Sequence, residues 1–206
     1  MRKKYYSPIL TCIGIFFLVV GMSAIVNTFI NEEPTQILYL CYLGLLLMGV
    51  GVLTRNSFLI LSQVYILTIP LAVWNIDFFY QLFAGGPLFG ITDYFFVEST
   101  ITLGKIISLQ HIFSVPLALY AVNLIGVNRK DGWKLSFVEI IFIFLAVTAL
   151  SPSELNVNCV YEPCLDISPR LPYELVWFFA IFSMTFFTSK LLHRFRFIKV
   201  KVKTKK

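Results

Sequence analysis

From Ser57 to Val73 the chain carries no charged side chain, and comparable apolar runs recur at 8–30, 36–54, 57–80, 106–127, 134–151 and 173–192. This repetition constrains the fold more than any other feature. About 20 mostly apolar residues, rising about 1.5 Å each in an α-helix, span the roughly 30 Å of bilayer hydrocarbon. In that medium every backbone N–H and C=O must be satisfied without water, which leaves helices and closed barrels. The runs are continuous rather than alternating, so helices are expected. A hydrophobic content of 58% with only 14% charged residues is wrong for a water-soluble globule. The expected fold is an all-α, polytopic integral membrane protein with six transmembrane helices, one domain over 1–206 and a cationic tail at 193–206.

Charge orients the spans. Of the 17 Lys and Arg, all but Lys105 and Arg170 lie at the N-terminus, at Arg55, in "NRKDGWK" or at the C-terminal end. The alternate connections, "NEEPTQ", 81–105 and 152–172, hold most of the carboxylates. The positive-inside rule then places both termini in the cytoplasm of a multi-pass cell-membrane protein. "MRKKYYSPILTCIGIFFLVV" has the look of a secretory signal, but the following "SAIVNTFINEEP" lacks a small-x-small cleavage site. A retained first helix is expected. The basic tail suits anionic lipid headgroups, so membrane lipids rather than nucleic acid are the expected partners. Composition leaves the oligomeric state open.

The polar residues out of place carry the functional information. Helix three ends in "VWNIDFFYQ", which puts Asn75 and Asp77 among aromatic rings. Helix four contains "SLQHIFSVP", where Ser108, His111 and Ser114 recur every three residues on one predicted face. Counting about 1.5 Å per residue, Asp77, His111 and Cys41 each lie about 6–8 Å beneath the outer end of their spans. Ionisable groups at such positions usually face a bundle interior or cavity. An Asp77–His111 hydrogen bond is expected, as structural glue or as part of a pocket. Between the third and fourth spans, "QLFAGGPLFGITDYFFVESTITLGK" is too aromatic for a free loop and is predicted to fold back as a lid. Glu139, on the cytoplasmic side, is expected to pair with Arg55, Lys134 or Lys190, or to bond Asn123, with Gln63 as a further polar candidate. Cys159 and Cys164, in "NCVYEPC", have a spacing that permits a disulfide in an outer loop. No second cysteine pair or histidine lies near them to make a metal site. Nucleotide-binding, zinc and haem motifs are lacking, and no cofactor is expected.

At "WNIDFFYQLFAGGPLFGITDYFF", "SLQHIFSVPLALY" and "SPSELNVN" the chain resembles a family of uncharacterised prokaryotic six-helix membrane proteins, over about residues 70–160. The shared elements are W-N-x-D at 74–77, G-x-T-D/E-Y at 90–94, S-x-x-H-x-x-x-x-P at 108–116 and N-x-N at 156–158. The resemblance implies a fold and no activity. It draws attention to Asn75, Thr92, Asp93, Tyr94, Ser108, Asn156 and Asn158 as candidate ligand contacts. A fainter likeness is to the androgen-induced-protein hydrolases, intramembrane enzymes that cleave fatty-acid esters of hydroxy fatty acids. Six helices, the His111 to Pro116 spacing and Pro70 carry it. That family uses a threonine nucleophile with a histidine. Tyr39 stands where the threonine would be, and Cys41 lies close by. A related-looking group of acyltransferases pairs cysteine with histidine.

By that likeness, the catalytic candidates are Cys41 as nucleophile, His111 as its base and Asp77 or Asn75 as the group fixing the imidazole tautomer. Asn156 and Asn158 would stabilise an oxyanion. Two other classes stay open. One is a small-solute binder or transporter component, which needs a cavity or polar route. The other is a non-catalytic membrane scaffold.

Overall fold

A computed structural model of the chain describes residues 6–97, 100–127, 129, 131–165 and 170–194. Most of the predicted tail at 193–206 lies outside the described residues. The fold is all-helical: α1 (Tyr6–Ile30), α2 (Leu40–Leu53), α3 (Ser57–Ala84), α4 (Asp93–Phe96), α5 (Leu103–Ser108), α6 (Gln110–Ile125), α7 (Gly132–Leu150) and α8 (Tyr173–Arg194). Five helical stretches are long and apolar enough to cross a bilayer, with α5 and α6 together forming one of them. Helix α2, at 14 residues, is shorter.

The short α2 departs from the span expected at 36–54. Pro34 opens a 3-10 turn over Pro34–Leu38, and Tyr39, with φ −58° and ψ 126°, separates that turn from the helix proper. The side chain of Asn158 takes up the backbone groups exposed at this break. Its Oδ1 accepts from Leu40 N–H at 2.9 Å, and its Nδ2 donates to Leu38 C=O at 2.8 Å. A helix start buried at membrane depth needs such partners, because its first N–H groups have none within the helix. The fourth expected span, 106–127, instead begins at Leu103 and is interrupted at Leu109, between α5 and α6.

Helix α3 is the axis of the bundle. It packs against α2, α6, α7 and α8 and buries Ile60 to Leu67 almost continuously, then Leu71, Trp74 and Phe78. Helices α1 and α2 form a close antiparallel pair. A Cβ on Gly49 would lie 3.1 Å from the Gly14 carbonyl oxygen, and one on Gly14 would lie 3.3 Å from that of Gly49. Where lipid supplies no hydrophobic drive between helices, small residues that let backbones approach are what hold such a pair. The outward faces of α7 and α8 carry Phe142 and Phe179, 67% and 77% exposed. Apolar side chains this exposed fit lipid contact rather than water.

Candidate functional site

Asp77 is fully buried, and four donors converge on its carboxylate. Oδ1 accepts from Leu88 N–H at 3.1 Å and Phe89 N–H at 2.6 Å. Oδ2 accepts from Thr92 N–H and lies 2.8 Å from the Thr92 hydroxyl. That hydroxyl also sits 3.1 Å from Gln81 Oε1. The local cause is the end of α3: Gly85, at φ 79°, turns the chain back so that the loop's amide groups face the last turns of the helix. Those amides need an acceptor, and an ionised carboxylate offers about four lone-pair sites. The expected Asp77–His111 hydrogen bond is therefore replaced by a clamp on the 88–92 loop.

The clamped loop leads into α4, the short lid helix. Trp74 Nε1 donates to the Tyr94 hydroxyl at 3.2 Å. Phe95 and Phe96 set their rings 5.0 and 5.4 Å from that of Phe78, which stacks on Trp74 at 5.0 Å. Burial pushes the Tyr94 phenol above its ordinary value, while hydrogen bonds with the Ser108 hydroxyl and the Trp74 indole N–H pull it down. Among the described residues Cys41 makes no hydrogen bond to His111 or Asp77. Asp93, on the same turn, has a buried Oδ1 without a partner.

His111 meets α3 in a different way from the one expected. Its ring centroid lies 4.7 Å from that of Trp74, and its backbone carbonyl accepts from Asn75 Nδ2 at 2.9 Å. Asn75 thus holds the main chain of His111 and not its imidazole. The ring Nδ1 is buried without a partner, as are Asn75 Oδ1 and the Nε2 of neighbouring Gln110. Gln110 is 1% exposed, and its Oε1 lies 2.5 Å from the Ser114 hydroxyl. Of the predicted face of Ser108, His111 and Ser114, the two serine hydroxyls bond their own helices, Ser108 to Gly104 C=O in α5 and Ser114 to Gln110 C=O in α6. Sequence reasoning missed Gln110. The available signal was an uncharged amide beside a histidine in an apolar span.

Asn156 and Asn158 lie elsewhere, in the 152–164 loop between α7 and α8. Asn156 Oδ1 accepts from Tyr161 and Glu162 N–H, and its Nδ2 donates to Glu162 C=O. With Asn158 held on the start of α2, the hydrogen-bonding groups assigned to an oxyanion are engaged within the protein. Trp177 Nε1 and the Tyr173 hydroxyl donate to the carbonyls of Asn158 and Cys159. A disulfide joins Cys159 to Cys164, with Cα atoms 5.5 Å apart. This loop is a plug over α2, α7 and α8.

On the opposite side, Glu139 bonds α3 rather than a basic residue or Asn123. Gln63 Nε2 donates to Oε2 at 2.8 Å and the Ser62 hydroxyl to Oε1 at 3.3 Å. The Ser136 hydroxyl donates to Ser62 C=O. Farther along α3, Tyr65 OH lies 3.0 Å from His193 Nε2. Among the described residues no cluster of three His, Cys, Asp or Glu is placed to hold a metal ion. Two apolar surface grooves flank α1, one of about 560 Å³ lined by Cys12, Phe16, Phe113 and Tyr120 among others, and neither includes Asp77 or His111. Compared with known protein families, characterised proteins and solved structures, the chain matches none.

Proposed function

We propose that the chain is a six-crossing protein of the cell membrane, with both termini cytoplasmic, whose outer polar layer binds a neutral polar group between α3 and α6. The charge asymmetry of the connections supports the orientation. Counting α2 as a crossing is supported by the apolar run at 36–54 and by the change from acidic "NEEPTQ" before it to Arg55 after it.

One observation carries the binding reading. Asn75 Oδ1 and His111 Nδ1 are buried without partners on the two residues joined by the Asn75–His111 backbone bond, and Gln110 Nε2, on the adjacent residue of α6, is a third such atom. Buried polar atoms are nearly always satisfied, and leaving one unmade costs about 1–3 kcal/mol. The trio offers an acceptor, a donor and a nitrogen that serves as either. That set suits a hydroxyl or amide, whether on the headgroup of an outer-leaflet lipid or on a free small molecule. The neighbouring carboxylates of Asp77 and Asp93 disfavour an anion.

Lipid-directed acyl transfer is the second reading. It is favoured by the unpartnered His111 nitrogen. It requires the thiol and imidazole to meet in a rearranged state, and a Cys41→Ser variant with unchanged lipid ester turnover would exclude it.

The binding reading is tested by native mass spectrometry of protein released in mild detergent. Wild type should retain a lipid or small molecule, and Asn75→Ala and His111→Ala variants that stay folded should lose it. Wild-type protein that carries nothing, or variants that retain the same adduct, would end the proposal.

A further inference from the structure

The segment that covers this layer is built as a latched flap. At its near end Gly85 and Gly86 stand where an added Cβ would meet nothing within 4 Å, so the pivot has open space around it. A second bend follows at Gly90, with φ 77°. Between pivot and lid helix, the main chain is tied to the bundle through one side chain: Leu88, Phe89 and Thr92 N–H all end on Asp77. Farther out, the Trp74–Tyr94 bond and the rings of Phe95 and Phe96 against Phe78 hold α4 down. No residue of α4 is fully buried. Closure thus rests on one carboxylate and an aromatic seam instead of a continuous core.

We propose that residues 85–97 form a gate over the Asn75–His111 contact, hinged at Gly85 and Gly86 and latched by Asp77, which opens to the extracytoplasmic side to admit the bound molecule. The gate rests on the binding reading above and adds its route of entry. Lid and site meet at Trp74, which donates to Tyr94 on the flap and packs its ring on His111. Lifting the flap therefore takes the Tyr94 acceptor from the indole N–H and the Phe95 and Phe96 rings from Phe78, freeing the Trp74 ring that packs on His111. It also explains why an acidic residue stands in an apolar helix end. A carboxylate can hold three main-chain amides at once and release them together, which a neutral side chain cannot do.

Hydrogen exchange and lipid exchange together test the gate, on full-length protein in nanodiscs of phosphatidylethanolamine and phosphatidylglycerol. Asp77→Asn leaves one acceptor and sets an NH₂ group against the loop's donors. Exchange at Leu88, Phe89 and Thr92 should then quicken about tenfold or more, given that hydrogen bonds to charged groups are the stronger class. Thr92→Val removes only the hydroxyl contact and should quicken it roughly threefold. Amides of α7 should remain as protected as in wild type in both variants. Replacement of the bound lipid by isotope-labelled lipid should accelerate in the same order. Unchanged lid exchange in both variants would overturn the latch. A loosened lid with unchanged lipid replacement would overturn the gate while leaving the binding site standing. Wild-type protein that holds neither lipid nor small molecule would remove the binding reading, and the gate with it; a small molecule held in place of lipid would overturn the lipid gate alone. Should Asp77→Asn fail to fold, Thr92→Val carries the same comparison.

Discussion

Asn75 donates its side-chain amide to the main-chain carbonyl of His111 across 2.9 Å, joining α3 to α6 one turn beneath the lid. The carbonyl belongs to the first turn of α6, above Pro116, which lacks the N–H that would bond Ile112. The bond therefore braces a helix already weakened by a break at Leu109 and a proline within two turns. It also fixes where the imidazole of His111 meets Trp74.

Loss of this brace should be modest in stability and larger in local order. Asn75→Ala is expected to destabilise the protein by about 0.6–2 kcal/mol, the range for interhelical hydrogen bonds in membranes. Reversible unfolding in mixed micelles measures it. A change near zero would mean that the bond contributes nothing net.

The start of α2 depends on a side chain 118 residues away, because Leu40 N–H has Asn158 Oδ1 as its acceptor. Asn158→Ala leaves two backbone groups of the break without their partner and should cost about 1–3 kcal/mol. Hydrogen exchange at Leu40 should rise in step. Asn158→Asp, which keeps the acceptor but not the donor, should fall between the two.

Glu139 and Gln63 make a second test. Gln63→Leu removes the 2.8 Å donor and leaves the carboxyl with Ser62 alone. The expected loss is about 1–3 kcal/mol, typical of a buried polar group left short of a partner. The double variant Gln63→Leu/Glu139→Leu should recover most of it, since removing both partners is often near neutral. Thermal unfolding of the single and double variants reads the comparison directly. A double variant less stable than Gln63→Leu alone would contradict it.

The lid has its own pH dependence. Burial raises the Tyr94 phenol above the usual value of about 10, so the folded state favours its neutral form. That contribution is fully present below pH about 10 and is lost as pH rises through the raised folded value. In wild-type minus Tyr94→Phe difference spectra, the tyrosinate band at 295 nm should appear later than for free tyrosine. Appearance at or below pH 10 would show that the folded lid does not raise the Tyr94 phenol.

Sequence patterning reached as far as the solvent's own demands. Apolar runs announce helices because hydrocarbon cannot solvate a bare peptide bond, and the distance of Asp77, Cys41 and His111 from the ends of their apolar runs follows from residue counting. The backbone turn at Gly85 and Gly86 is legible for the same reason, since a glycine pair breaks a helix whatever surrounds it. Partner identity was not legible. Asp77 was expected to meet another side chain, and it meets the backbone of a loop that begins four residues past Gln81. Glu139 was expected to pair with a cation or to bond Asn123, and it finds the hydroxyl of Ser62 and the amide of Gln63, which the sequence had marked only as a further polar candidate.

The reason is geometric. Along one helix, rise and angular step are fixed by backbone sterics, so the sequence determines which residues share a depth and a face. Which faces are brought together depends on how the helices cross, and that is set by contacts such as the Gly14–Gly49 approach and the docking of Asn158 on α2. Rotating a helix by one residue, about 100°, keeps every depth and changes every partner. The sequence alone determined the number and length of the apolar runs and the level at which polar groups lie. Only the tertiary structure decided that Asp77 would hold the 88–92 loop while Asn75 took the main-chain carbonyl of His111.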